Sequence, residues 1–191
     1  MNKNIMKIRQ YLRNKGIKSF EGSLYNQKDQ QNFLKELIQN KKRGLEIGFN
    51  AGDSAELFLS EGCDLISFDI GRHSYVPFAK DFLDLQYPDK HKLVIGDSTK
   101  TIPEHQGQYD FIYIDGCHRY EIASQDINNC RKLCHKDTII IIDDYVSDPE
   151  NIRNYNEGVI IAVSELENFI VEGQRDFGIG RGVIWGRYKQ I

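Results

Sequence analysis

Asp115, His118 and the pair Asp143-Asp144 offer oxygen and nitrogen donors in a spacing that could hold a cation and move a proton. Asp115 closes one apolar run, Tyr109 to Ile114, and Asp143-Asp144 closes another, Thr138 to Ile142. As neighbouring strands of one sheet, these runs would bring the carboxylates together. Three carboxylates suit a hard divalent ion, Mg²⁺ first, with Ca²⁺ or Mn²⁺ as alternatives. Such an ion can orient a hydroxyl and stabilise the alkoxide it becomes. The other reading of Asp143-Asp144 is a hydrogen-bonded turn after a buried strand; Asp115 on the next run favours the metal. His118 follows Asp115 by three residues at a helix start, and an imidazole titrates near neutrality. It could act as general base, or contact backbone or a cofactor; both readings stay open here.

A second stretch, Gly44 to Ser54, reads as a strand turning tightly into a helix. Gly48 and Gly52 stand where a side chain would block a bound ligand, and Glu46 can accept hydrogen bonds from one. Asn50 and Ser54 share that turn, and Asp53 is expected to cap the helix that follows. Further acids close later runs: Asp69 after Leu65 to Phe68, and Asp97, followed by Ser98, after Lys92 to Ile95. One acidic strand end is an ordinary cap or turn. Five in succession point to a ligand-binding edge, because open α/β sheets bind ligands at the carboxyl ends of their strands. A dinucleotide oxidoreductase would need a third glycine for close helix–strand packing, and the turn has Phe49 and Asn50 instead.

The elements that must position these residues follow from hydrophobic spacing. Ile5, Ile8, Tyr11 and Leu12 recur as in a helix ending at Gly16, and Gln27 to Asn40 reads as a second helix. From Leu45, strands alternate with helices over Tyr75 to Leu85, Tyr120 to Leu133 and Val159 to Phe169. Phe177 and Val183 to Tyr188 fit a closing strand pair joined through Gly178-Ile179-Gly180. The expected fold class is α/β: a Rossmann-like, doubly wound, seven-stranded sheet, mostly parallel with an antiparallel edge strand. The 191 residues are expected to form a single domain, with 1–43 a helical extension and 44–191 a cofactor-binding core. Net charge is −3, which argues against a nucleic-acid partner. The longest apolar run, Ile139 to Ile142, is too short to span a bilayer. No secretory signal is evident, and the four cysteines lack C-x-x-C spacing, so reduced thiols and a cytoplasmic location are expected.

From about Leu45 to Asp144 the chain resembles class I S-adenosylmethionine-dependent methyltransferases. Glu46-x-Gly48-x-x-x-Gly52 resembles the motif that cradles the methionine part of the cofactor. The resemblance places Asp69 on the ribose hydroxyls and Asp97-Ser98 on the adenine side. Ile114-Asp115-Gly116-Cys117-His118-x-Tyr120-Glu121, with Asp143-Asp144, is similar to the small methyltransferases akin to macrocin and rhamnosyl O-methyltransferases. In those the equivalent acids hold a divalent metal. The resemblance thus implies cofactor contacts at Glu46, Gly48, Asn50, Gly52, Ser54, Asp69, Asp97, Ser98 and Asp115. It implies metal ligands at Asp115, Asp143 and Asp144, and catalysis by His118 and Asp115. Cys117 departs from the Gly or Asp common in relatives.

The expected acceptor is a sugar or another polar hydroxyl, because the segment Tyr145 to Glu157 leaves the ligand edge rich in Asn, Asp, Arg and Tyr. A flexible surface loop is the plain alternative for that segment. A phenol or catechol acceptor and a non-catalytic cofactor-binding module are the competing functions. Methylation of base or protein amines is disfavoured, because such enzymes carry an Asn/Asp-Pro-Pro-aromatic run where this chain has Asp115-Gly116-Cys117-His118. The oligomeric state is not legible in the chain.

Overall fold

The sheet is built on β-branched and aromatic runs that alternate their side chains between two helical layers. In the computed structural model, residues 7–21 and 24–189 are described, so the N-terminal end of the expected first helix, at Ile5, lies outside them. Two helices, α1 (Ile8–Asn14) and α2 (Lys28–Leu37), precede the first strand. The alternating part then runs β1 (Arg43–Ile47), α3 (Asp53–Ser60), β2 (Asp64–Asp69), α4 (Val76–Gln86), β3 (His91–Ile95), α5 (Ser98–Glu104) and β4 (Tyr109–Ile114). It continues through α6 (Tyr120–Cys130), β5 (Cys134–Asp143), α7 (Glu157–Ser164), β6 (Phe169–Gly178) and β7 (Arg181–Tyr188).

The seven strands lie in the order β3-β2-β1-β4-β5-β7-β6. The pairs β1–β2, β2–β3, β1–β4 and β4–β5 are parallel, and β7 is antiparallel to both its neighbours. The expected Rossmann-like, mostly parallel sheet is what forms. The reversed strand is β7, one place in from the edge that β6 occupies.

β5 shows how the two layers are divided. Ile139 and Ile141 face a core with Phe58, Phe82, Phe111 and Tyr113, under α1 to α4. Ile140 and Ile142 face the other, with Leu45, Ile112, Ile127 and Val159, under α5 to α7. A strand covered on both faces needs no polar alternation, which is why this run reads as unbroken isoleucine.

Two elements differ from the expectation. α5 was not legible as a helix: it is short, contains Pro103 and buries only Ile102. The helix expected up to Phe169 ends at Ser164, and Phe169 instead starts β6, paired with Tyr188. The apolar spacing of Leu166 and Phe169 continues the helical pattern, but ladder pairing with β7 decides.

The order of strands reverses between β1 and β4, which opens a crevice at their carboxyl ends. No helix among the described residues is long and apolar enough to cross a membrane.

Candidate active site

The turn after β1 is locked to the turn after β4. The Asp115 amide donates to the Ile47 carbonyl at 2.9 Å. Gly48 has φ +97°, and a Cβ there would lie 1.8 Å from the Asp115 carbonyl oxygen, so no side chain fits between the two strand ends. Gly52, at φ +79°, supplies the left-handed residue that starts α3. Asn50 is also left-handed, at φ 49°. Its amide donates to Asp69 Oδ2 at 2.8 Å, while the Gly71 amide donates to Asp69 Oδ1 at 2.7 Å. Asp69 therefore shapes both turns that flank it. Ile70, beside it, is 62% exposed.

Glu46 is fully buried beneath this turn rather than at its surface. Ser54 donates to its Oε1 at 2.5 Å and Ser67 to its Oε2 at 2.6 Å. Burial dominates over those bonds and raises its pKa to about 7. His91 Nε2 lies 3.0 Å from Ser67 Oγ, and burial lowers its pKa to about 4. Since Ser67 donates to Glu46, a neutral His91 must donate to Ser67. Glu46 and Ser54 thus brace the turn from below. The N-cap of α3 is Gly52 rather than Asp53; Asp53, the first residue of the helix, pairs with Arg9 of α1, with both side chains less than a tenth exposed.

Asp97 caps α5, accepting from the Thr99 amide at 3.1 Å and the Thr99 hydroxyl at 2.7 Å. The Thr99 bond, with Lys100 nearby, holds its pKa below the usual range. Ser98 is the first residue of α5, directly after it.

Pairing of Ile114 with Ile142 sets the end of β4 beside the end of β5. There, donor atoms of Asp115, His118 and Asp144 all lie within 4.8 Å of one another. His118 Nε2 is 2.8 Å from Asp144 Oδ2. That bond raises the His118 pKa against the opposing effect of burial. Asp144 has φ 57°, an uncommon conformation for a residue with a side chain, held because its carbonyl accepts from buried Asn156 at 2.8 Å. Asp115 is pushed well above the ordinary carboxylate range by burial and by Asp143 and Asp144, with Arg181 opposing.

Asp143 does not join this group. Its carboxylate accepts from Gln30 Nε2 at 2.8 and 3.1 Å, from the Tyr113 hydroxyl, and from the Asp144 amide at 2.9 Å. Burial raises its pKa to about 7. The crevice thus concentrates carboxylates that repel one another, with a histidine on the outermost. A divalent cation would relieve that repulsion, so the residues present fit one.

A family model described as a methyltransferase domain matches residues 45–145, more than half of the chain. The chain belongs to this methyltransferase family. No curated protein matches it by sequence. Among solved structures, the methyltransferase is similar to the O-methyltransferase from Bacillus cereus in complex with SAH. That pair is 18% identical with a TM-score of 0.73, over 97% of this chain and 93% of that one. SAH-bound PaMTH1 from Podospora anserina has a TM-score of 0.69 at 16% identity, over 88% and 80%. The ribosomal protein L11 methylase from Lactobacillus delbrueckii subsp. bulgaricus has 0.63 at 17%, over 90% and 82%. The fold is therefore shared by enzymes whose names point to different acceptors, and it does not choose one.

Next to His118 and Asp144, the segment after β5 is more anchored than its polarity suggests. Val146 and Asn156 are buried, and Tyr145 packs on the α5–α7 core. Ser147 and Asp148 donate to Asp176 of β6. Tyr155 is the aromatic face that remains, 46% exposed, its ring 5.7 Å from that of His118. Its hydroxyl donates to the Gly180 carbonyl at 3.2 Å.

Three contributors escaped sequence reading. Gln30 reaches Asp143 from α2, Asn156 fixes Asp144, and Arg181 of β7 opposes the acids; each is brought in by tertiary packing, and none carries a local motif. A larger groove bounded by Pro103, Arg131, Lys132 and Tyr188 holds none of the candidate residues. It lies by Cys134, the first residue of β5, away from the carboxyl ends.

Proposed function

We propose that the protein is an S-adenosylmethionine-dependent O-methyltransferase that acts on a sugar or a similarly polar hydroxyl, assisted by a divalent cation. The observation that carries the reading is the convergence of Asp115, His118 and Asp144 at the crevice beside the Gly48 turn. SAH, named in two of the similar structures, is what S-adenosylmethionine becomes on losing its methyl, which supports that donor. Asp69 is the ribose-side acid of the proposal, and the turn from Gly48 to Gly52 is the cradle for the methionine end.

A methyl on a sulfonium is already activated, so the protein must align an acceptor in line with it and deprotonate that acceptor. An alcohol is the hard case because its pKa is far above neutrality. Asp115 and Asp144 would hold the cation, with Asp143 supporting the site from behind through Gln30 and Tyr113 and His118 left beside it as the base. The cation would supply Lewis-acid stabilisation of the developing alkoxide. His118 holds its proton because Asp144 lies against Nε2. Neutralising the acids weakens that hold, which frees the imidazole to take the acceptor's proton. Tyr155, beside His118, offers a ring face against which a sugar can lie.

The test follows demethylation of the cofactor over a panel of methyl glycosides and catechols, with chelator, Mg²⁺ or Mn²⁺. Turnover on a glycoside that chelator abolishes and Asp144→Asn removes is expected. Asp69→Ala should weaken SAH binding at least tenfold in calorimetry, because it removes an acceptor and unties the Asn50 turn. Full activity in metal-stripped protein would end the metal reading, and faster methylation of catechols than of every sugar would end the sugar reading.

A further inference from the structure

Three segments that are distant in sequence meet beside the turn after β1 in a closed ring of hydrogen bonds. The hydroxyl of Tyr75, directly before α4, donates to Asn50 Oδ1 at 2.7 Å. Asn50 Nδ2 donates to the Glu21 carbonyl at 2.5 Å, and the Glu21 amide donates to the Tyr75 hydroxyl at 3.2 Å. Each member of the ring, a hydroxyl, a side-chain amide and one main-chain residue, donates once and accepts once. Tyr75 is 6% exposed, and its ring packs on those of Phe20, at 5.4 Å, and His73, at 4.8 Å. The Glu21 carboxylate in turn pairs with Arg72, at 3.1 Å, and with His73, both in the loop after β2. The residue gripped by this ring is the one whose own amide ties the turn to Asp69. Its left-handed backbone is a conformation that asparagine tolerates but does not favour without support.

We propose that Tyr75 is a positioning residue for the cofactor. Together with the Glu21 main chain it holds both ends of the Asn50 side chain, and so fixes the turn and the Asp69 carboxylate before the cofactor arrives. The inference rests on the S-adenosylmethionine reading above and goes beyond it, because it gives the Asn50 side chain partners within the protein rather than on the ligand. Without the ring, Asn50 is free to leave the left-handed region and to take its amide away from Asp69. Ordering of the turn then falls to the binding step and weakens affinity. The chain before β1 thus reaches the cofactor turn through Glu21, as it reaches Asp143 through Gln30. A merely structural ring would alter the stability of the fold and leave the affinity of the folded protein for the cofactor unchanged.

The experiment titrates SAH into the full chain by calorimetry, with urea unfolding of the same variants alongside. Tyr75→Phe removes the hydroxyl and keeps the ring packing, and should weaken SAH binding about 3- to 10-fold. Asn50→Gly keeps the left-handed backbone without strain but releases both tethers, and should weaken binding to a similar extent. The double variant should lose little beyond either single one, since both act through one ring. In hydrogen exchange the Asn50 amide of free Tyr75→Phe should exchange faster than in the wild type, and SAH should restore its protection. An SAH affinity in Tyr75→Phe within about twofold of the wild type overturns the proposal, whatever the urea midpoint does. A loss in Asn50→Gly with none in Tyr75→Phe would place the Asn50 side chain on the ligand instead. Fully additive losses would mean that the two residues act separately, and overturn it too. If the wild type binds no SAH, the cofactor reading falls and this inference falls with it.

Discussion

Glu46 shows how an acid at a strand end can serve the turn above it from inside the core. Its carboxylate is sealed under the turn, taking bonds from Ser54 and Ser67, with His91 one step behind. Its folded pKa of about 7 stands above the ordinary 4.5, so between those values the folded chain holds a proton that the unfolded chain has released. Stability from this group is therefore full below about pH 4.5 and lost as pH rises through 7. His91, lowered to about 4, acts in the opposite sense and loses stability as pH falls from 6.5 towards 4. Glu46→Gln removes the first dependence and leaves the second. In urea unfolding at pH 5 and pH 8, the variant should gain on the wild type by about 1–3 kcal/mol between the two. Parallel pH profiles would show that the carboxylate does not carry the cost assigned to it.

Among the elements, α2 links the chain before the family match to the carboxyl end of β5. Gln30 is 2% exposed and spans 113 residues of sequence to bond both oxygens of Asp143. Gln30→Leu keeps most of the volume but withdraws the donor from a buried carboxylate. The expected loss of stability is about 1–3 kcal/mol, read from the urea midpoint at constant slope. An unchanged midpoint would mean that Tyr113 and the Asp144 amide suffice. On the other side, Asn156 ties the segment after β5 to the Asp144 carbonyl, so this segment positions the site as well as bordering it.

Across the whole molecule, stability should be graded by position in the sheet. β1, β4 and β5 have a strand on each side and helices on both faces, whereas β6 closes one edge with Ile170 and Val171 about half exposed. In native-state hydrogen exchange, amides of Ile112 to Ile114 and Ile139 to Ile142 should exchange through global unfolding. Those of β6 should exchange by local opening, at least about a hundredfold faster. Equal protection across the sheet would indicate that the β6 edge is covered in solution.

What the sequence determined by itself was the alternation of elements and the edge where acidic residues gather. Apolar runs closed by Glu46, Asp69, Asp97, Asp115 and Asp143-Asp144 were legible because strand burial and strand-end polarity are local properties. α5 escaped because Pro103 and a single buried side chain leave little periodicity to read. What only the tertiary structure decided was where each carboxylate turns. Asp143 and Asp144 are adjacent in sequence and nearly indistinguishable there. The left-handed backbone at Asp144, held by Asn156, sends one carboxylate to His118, while Gln30 and Tyr113 draw the other inward. Long-range partners of this kind are set by packing between elements, which spacing along the chain does not encode.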